Sequence, residues 1–272
     1  KQMRGLLIQM EDWDALLRLA NERAEVAKAN FPVGAAVRGE AMYNLADALV
    51  RAGRWSEAQR AADELARENE QHYGRVENPF YGSSLHMRWR IAFGARDFES
   101  AAAIAERLCE YNFRTSPSDA PYILSNLALT VDTYLALQRV HDAVEMCLRV
   151  FDLPEQSAQG GARRRLESMR LAFPLRSRAT REVAVSVVER LRSLGENGAA
   201  GVTYDPRQAA EIELWLGSWM NAAGAIDDAE EHLLAAERTS RELEIEDLRR
   251  AAVVELVAAY QEWALTVPDR EF

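Results

Sequence analysis

Apolar residues recur at helical spacing along most of the chain, and short polar stretches separate the apolar runs. In the clearest case, Leu45 and Leu49 lie on one face of a predicted helix, and a second helical run opens at Trp55. Gly53 lies between the two runs, where left-handed backbone is needed and glycine adopts it at least cost. The pattern therefore predicts two antiparallel helices joined at residue 53.

The same pattern returns along the chain, each time as a bulky apolar residue followed three positions later by alanine. The four pairs are Trp55 and Ala58, Phe98 and Ala101, Val140 and Ala143, and Ile226 and Ala229. The alanines are 43, 42 and 86 residues apart, so a weaker copy is expected between the last two pairs. A regular period of this size is typical of stacked helical hairpins rather than of one closed globule.

The weaker copy is predicted around Ala184. Its first helix would run from residue 163 to 173 and end at Pro174, and its second helix would run from residue 180 to 194. A last amphipathic helix is predicted over residues 246–265.

The second hairpin carries a family resemblance in its order of small and large apolar residues: Leu45, Ala46, Leu49, Gly53, Trp55, Ala58, Ala62 and Leu65. This order resembles the tetratricopeptide repeat, or TPR. The spacing is longer than the usual TPR period of about 34 residues, and Arg96 stands where glycine is usual. Longer repeats of this kind are similar to those of bacterial signalling ATPases and of transcriptional activators of the maltose-activator type.

The resemblance implies an all-α fold, an α-solenoid of TPR-like antiparallel hairpins with a period of about 43 residues. We expect one helical-repeat domain over residues 1–272, with about five to six hairpins. Residues 13–27 align with the helix that begins at Trp55, so the chain opens partway through a hairpin. This favours a fragment of a longer protein.

The net charge of −10 argues against DNA binding by the chain as a whole, because a polyanion requires clustered cations. Only Lys1 and Lys28 of the 33 basic residues are lysine, a bias that we attribute to a GC-rich bacterial genome. The sequence contains no apolar run long enough to span a bilayer and no signal-peptide order at its start, so we expect a cytoplasmic protein. Cys109 and Cys147 are expected to be buried, reduced thiols.

Basic charge is concentrated between residues 161 and 192, where nine arginines face three glutamates and give the segment a charge of +6. The arginines are Arg163, Arg164, Arg165, Arg170, Arg176, Arg178, Arg181, Arg190 and Arg192. A hydrated helix face is the simplest interpretation. A docking patch for an acidic partner, which includes the acidic remainder of a second copy, is the alternative.

The sequence predicts no enzyme, no cofactor and no metal site. The histidines His72, His86, His141 and His232 lie far apart, none at metal-ligand spacing. A glycine-rich phosphate loop with its lysine is also missing from the sequence.

The first helix of each hairpin is expected to line the inner wall of the solenoid. Nine polar or amphipathic residues are predicted to face a partner there: Tyr43, Asn44, Asp47, Arg51, His86, Arg90, Asp132, Ser218 and Asn221. Such a wall suits an extended peptide, with arginine binding a carboxylate.

The leading hypothesis is therefore a noncatalytic protein- or peptide-binding scaffold or sensor module of a bacterial regulatory protein. The alternative is a small-molecule-binding or enzyme accessory domain with a pocket between repeats. Homo-oligomerisation through the terminal hairpins is a third hypothesis.

Overall fold

The structure is a computed structural model, and it describes residues 2–73, 80–115, 120–154, 158–197 and 203–266. Within these ranges the chain forms α-helices and short 3-10 turns but no strand. The helices are α1 (Gln2–Gln9), α2 (Trp13–Asn30), α3 (Ala36–Arg51), α4 (Trp55–Tyr73), α5 (Tyr81–Gly94), α6 (Phe98–Thr115), α7 (Ala120–Ala136), α8 (Val140–Leu148), α9 (Ala158–Ala172), α10 (Arg181–Asn197), α11 (Pro206–Ala222), α12 (Ile226–Glu242) and α13 (Glu246–Thr266). The expected all-α fold of helical hairpins is confirmed.

The chain divides into two compact units, Lys1–Thr115 and Ser116–Phe272. In the first unit, helices α1 to α6 pack against their neighbours in chain order, and α3 also contacts α5. The first helices of these two successive hairpins are therefore adjacent. The single domain expected over residues 1–272 stays a prediction.

The second unit contains helices α7 to α13, again paired in chain order, with α7 against α9 and α11 against α13. The weaker copy of the repeat is present where the sequence predicts it. Helix α9 ends at Ala172, a 3-10 turn covers Phe173–Arg178, and α10 follows. Helix α13 begins shortly after α12 ends, and it is the last helix in the described part of the chain.

Left-handed backbone ends the first helix of five hairpins in the described part of the chain, whereas the α9–α10 hairpin turns through a 3-10 segment. The residues with positive φ at these turns are Glu11 (54°), Gly53 (70°), Arg96 (61°), Gln138 (59°) and Gly224 (76°). After each of them, the next amide donates to a carbonyl five residues earlier, at N···O distances of 2.8 to 3.1 Å. This is the Schellman arrangement, and it recurs at the period of the repeat.

Small residues let the two helices of a hairpin approach closely. The alanines of the repeated pattern, Ala58, Ala101, Ala143 and Ala229, are all fully buried. A Cβ atom added at Gly217 would lie 2.5 Å from Cγ of Leu233 and 2.9 Å from the carbonyl oxygen of Ala229. The space between α11 and α12 therefore excludes even a methyl group at this position.

The two cysteines, Cys109 and Cys147, are free and fully buried, as expected for small apolar side chains. Trp215 on α11 is also buried and lies against Phe173 with ring centroids 6.1 Å apart.

Replacing Arg96 by glycine is expected to stabilise the first unit by about 0.5–1 kcal/mol, because an L side chain in left-handed backbone is strained. The measurement is the free energy of opening from hydrogen exchange of the α5 and α6 amides. Ala95→Gly is the matched control, since its φ of −75° is right-handed. That variant should lose about 0.5–1 kcal/mol instead. A loss of stability in Arg96→Gly would contradict the assignment of strain to this turn.

Candidate functional site

A buried carboxylate on α3 gathers three arginines from three helices. The Asp47 side chain is only 4% exposed. Its Oδ2 atom accepts a hydrogen bond from Arg4 of α1 at 2.7 Å and one from Nε of Arg51 at 3.0 Å. Its Oδ1 atom accepts from Nη1 of Arg90 on α5. We call these four residues the Asp47 cluster.

The repeat itself builds the Asp47 cluster. Arg4, Asp47 and Arg90 are separated by 43 residues in each case, so they occupy the same position in three successive hairpins. Arg51 lies one helical turn after Asp47, on the same face of α3. Adjacent first helices thus place an alternation of arginine, aspartate and arginine across the face of the unit.

The electrostatics of the cluster favour an ionised Asp47. Burial disfavours the charge, but hydrogen bonds from Arg90 and Arg51 outweigh that cost and hold the pKa of Asp47 below its ordinary value. Three positive charges meet one negative charge, which leaves two positive charges in excess.

The arginines retain donors that Asp47 does not use. A guanidinium has five N–H groups, and within the described residues each of the three arginines donates only to Asp47. Their side chains are 33%, 33% and 22% exposed for Arg4, Arg51 and Arg90. An anion arriving from solvent therefore finds oriented cationic donors.

Two aromatic residues flank the cluster at another shared repeat position, since Tyr43 and His86 are also 43 residues apart. His86 stacks on Trp89. Its burial, together with the positive charge of Arg90, lowers the pKa of His86 below its ordinary value, which favours the neutral ring. Tyr43 lines a cavity of about 330 Å³ together with Phe80.

The first unit brings five of the predicted residues together: Tyr43, Asp47, Arg51, His86 and Arg90. Asn44 lies one turn before Asp47, beside Arg4 and Arg23 in a small recess. Sequence reasoning missed Arg4. The signal that could have found it is its spacing of 43 residues from Asp47.

The remaining predicted residues belong to the second unit. Asp132 is an exposed residue on α7, and partial desolvation by its neighbours raises the pKa of its carboxyl. Ser218 and Asn221 on α11 are only 2% and 8% exposed. Such burial leaves little side-chain surface for a partner, so a binding role for these two residues rests on the sequence pattern alone.

The arginine-rich segment forms many of its contacts within the chain. Arg170 pairs with Glu167 and Glu211, and Arg176 pairs with Glu255. Further contacts in this segment include Arg190 with Asp152, Arg192 with Asp228, and donation from Arg164 and Arg165 to the carbonyls of Leu153, Pro154 and Phe151. Internal pairing explains much of this local charge, and an acidic partner for the segment stays a prediction.

The described residues include no group of three or more His, Cys, Asp or Glu side chains arranged to hold a metal ion. In the same part of the chain, no helix is both long and apolar enough to cross a membrane.

Solved structures share this architecture. The nearly identical TPR-like repeats of a kinesin light chain protein from Podosopora anserina match with a TM-score of 0.53 and 17% identity, over 72% of this chain and 93% of that chain. The chain has a TPR-like helical-repeat fold. A variant of the same repeats with one residue substituted matches with a TM-score of 0.51 and 14% identity, over 89% of this chain and 93% of that chain.

BtubC (BKLC) from P. vanneervenii matches 85% of this chain and 92% of its own at 14% identity, but its TM-score of 0.42 is too low to inform the fold. No protein-family model and no curated protein matches this TPR-like chain.

Replacing Asp47 by asparagine is expected to destabilise the first unit by about 2 kcal/mol, because three guanidinium groups lose the negative charge between them and one of its two acceptor oxygens becomes a donor. The loss stays moderate, since the arginines are partly hydrated. Hydrogen exchange of the α3 and α5 amides measures it. Asp132→Asn, at an exposed carboxyl, is the matched control and should change stability by less than about 0.5 kcal/mol.

The difference in unfolding free energy between the wild type and Asp47→Asn should depend on pH in a defined direction. The folded pKa of Asp47 lies below its ordinary value, so the carboxylate contributes stability above the ordinary pKa of about 4. That contribution is lost as the pH falls through the folded pKa. The difference between wild type and Asp47→Asn should therefore shrink in acid, and a constant difference from about pH 7 to about pH 2 would contradict the assignment.

Proposed function

We propose that the chain is a noncatalytic, cytoplasmic protein- or peptide-binding module of a bacterial regulatory protein, and that its first unit binds acidic segments of a partner. One observation carries the proposal: three arginines surround a single buried carboxylate and keep unused donors at the surface. The strong preference for arginine over lysine supports the bacterial part of the proposal.

Asp47 makes the arginines better receptors. Free arginine side chains lose rotamer entropy when they bind, and that loss weakens affinity. Ion pairs to a buried, immobile carboxylate fix part of this conformational freedom before the partner arrives. The planar guanidinium then presents paired donors that match the two oxygens of a partner carboxylate.

Short-range contacts must dominate this binding. The whole chain carries a charge of −10, which opposes the approach of an acidic partner from a distance. Charges farther away than about 8 Å are largely screened at physiological ionic strength. A bound carboxylate would therefore respond mainly to the two excess positive charges of the Asp47 cluster.

A small-molecule function is the second candidate, and one cavity of the first unit supports it. This cavity has a volume of about 730 Å³ and lies between α4, α5 and α6. Its lining includes Trp55, two arginines and two aspartates, so an aromatic surface and charges of both signs face it, with Arg88 paired to Asp63 at 2.7 Å. A metabolite that raised the melting temperature of the chain, with protection confined to α4, α5 and α6, would favour this alternative.

The binding proposal is tested with a fluorescently labelled hexaglutamate peptide, with a hexalysine peptide as the reference ligand. Replacing both Arg51 and Arg90 by glutamine should weaken hexaglutamate binding by about tenfold or more, because each charged hydrogen bond contributes roughly 1.5–3 kcal/mol before solvent competition. Fluorescence anisotropy measures the affinity, and circular dichroism checks that helix content is retained.

Asp47→Asn combined with Arg51→Gln is the matched control, since it preserves the two excess positive charges. This variant should bind hexaglutamate more tightly than the Arg51→Gln, Arg90→Gln variant, because it keeps the charge excess, but more weakly than the wild type, because the carboxylate that holds the arginines is gone. Equal binding of hexaglutamate by the wild type and by the Arg51→Gln, Arg90→Gln variant would overturn the proposal.

A further inference from the structure

An exposed apolar groove lies between α2 and α3. Its volume is about 440 Å³, and its lining is Glu22, Arg23, Val26, Ala27, Phe31, Val37, Glu40, Ala41 and Asn44. We call it the α2–α3 groove. Val26, Phe31 and Val37 are 61%, 39% and 54% exposed, so three large apolar side chains meet water in one place. Clustered exposure of this kind is typical of a binding surface.

The α2–α3 groove is continuous with the Asp47 cluster. Arg23 and Asn44 line both the groove and the neighbouring recess that contains Arg4. Arg4 in turn donates to Asp47 at 2.7 Å. A ligand held at the cluster can thus follow a route along the surface of α3, over these side chains, to the groove.

The order of side chains along α3 gives this route a direction. Val37, Ala41, Asn44, Asp47 and Arg51 are spaced three or four residues apart and therefore share one face of the helix. Apart from the acidic Glu40, the face is apolar near the start of α3; it carries an amide in its middle and meets the arginines of the cluster near its end.

The helix also gives the route a length. Ten residues separate Val37 from Asp47, and a rise of about 1.5 Å per residue makes this about 15 Å. An extended peptide advances about 3.3 Å per residue, so about four to five peptide residues cover the same distance.

Charges at the edge of the groove restrict which ligand fits. Glu22 and Glu40 lie on its rim beside the single cation Arg23. An acidic ligand residue held in the groove would be repelled by these two carboxylates. An acidic ligand residue at the Asp47 cluster would be attracted by the arginines. The groove therefore favours an apolar ligand side chain, and the Asp47 cluster favours a carboxylate.

We propose that the α2–α3 groove binds a bulky apolar side chain of the partner, located about four residues from the acidic group that binds the Asp47 cluster. This inference rests on the proposed function and adds a specificity determinant to it. The occupant is an extended partner segment with one apolar anchor and one acidic end, because the continuity with the cluster and the charge difference along α3 both select that chemistry.

Three labelled peptides of equal length test the proposal by fluorescence anisotropy. The reference peptide consists of serine and glycine and ends in two aspartates. The second carries phenylalanine about four residues before the acidic end, and the third carries it directly before the aspartates. The second peptide should bind about tenfold more tightly than the reference, a gain typical of partial burial of one large apolar side chain. The third should gain less than about threefold.

Val37→Asn is the decisive variant, because it removes apolar surface without adding charge. Its site is more than half exposed in the first turn of α3, and the neighbouring Arg38 remains anchored to Glu68. This variant should lose the phenylalanine gain and bind the reference peptide as the wild type does. Val254→Asn, at a valine that is 59% exposed on α13, is the matched control and should keep the gain.

The outcomes separate the two proposals. If the reference peptide binds but phenylalanine does not increase the affinity, the groove proposal is wrong and the Asp47 cluster remains the site for the acidic end. Failure of all three peptides overturns both. A gain that survives Val37→Asn also overturns the groove. If sedimentation shows dimers of the free chain that Val37→Asn dissociates, the groove belongs to a second copy and the proposal is wrong.

Discussion

The close contact between the two helices of each hairpin is the constraint on which the other features depend. Fully buried alanines on the second helix and left-handed residues at the turn bring the two helices together. These residues recur every 42 or 43 positions, or at twice that spacing across the α9–α10 hairpin, so the hairpins within a unit present their first helices in a similar register. Within the first unit, side chains one period apart then become neighbours, although dozens of residues separate them along the chain.

The Asp47 cluster shows what this register produces. A lone buried carboxylate costs several kcal/mol of desolvation, yet here three equivalent or adjacent positions supply arginine and the carboxylate stays ionised. The cluster thus joins three hairpins through one acceptor. It also leaves a local positive surplus on a protein whose overall charge is strongly negative, so the same ion pairs serve stability and present a receptor for anions.

Much of the fold follows from the sequence because its signals are local. The glycines at positions 53 and 224 predict the left-handed turns that the structure has there. The alanine spacing predicts even the weaker copy formed by α9 and α10. The turns at Arg96 and Gln138 are harder to predict from the sequence, because neither residue type is characteristic of left-handed backbone, although both adopt it. There the packing of the flanking helices outweighs the local preference.

The candidate site was only partly accessible from the sequence. Asp47, Arg51 and Arg90 follow from the inner face of the first helices, whereas Arg4 requires knowing that the short helix α1 packs as a further first helix. The exposed apolar groove was not anticipated, because Val26 and Val37 look like ordinary core positions in an amphipathic pattern. By contrast, the sequence predicts that Arg164 is an exposed cation, but in the structure it is buried and donates to backbone carbonyls.

The sequence by itself determined the helices, their turns and the period of the repeat, because these depend on residues within one or two helical turns of each other. Only the tertiary structure decided which polar side chains are enclosed and which meet water. Asp47, Asp132 and Ser218 occupy similar inner positions in the sequence pattern, yet the first and last are buried and the second is exposed. A helical pattern gives the direction of a side chain around its own axis, but burial depends on the neighbouring helix that covers it.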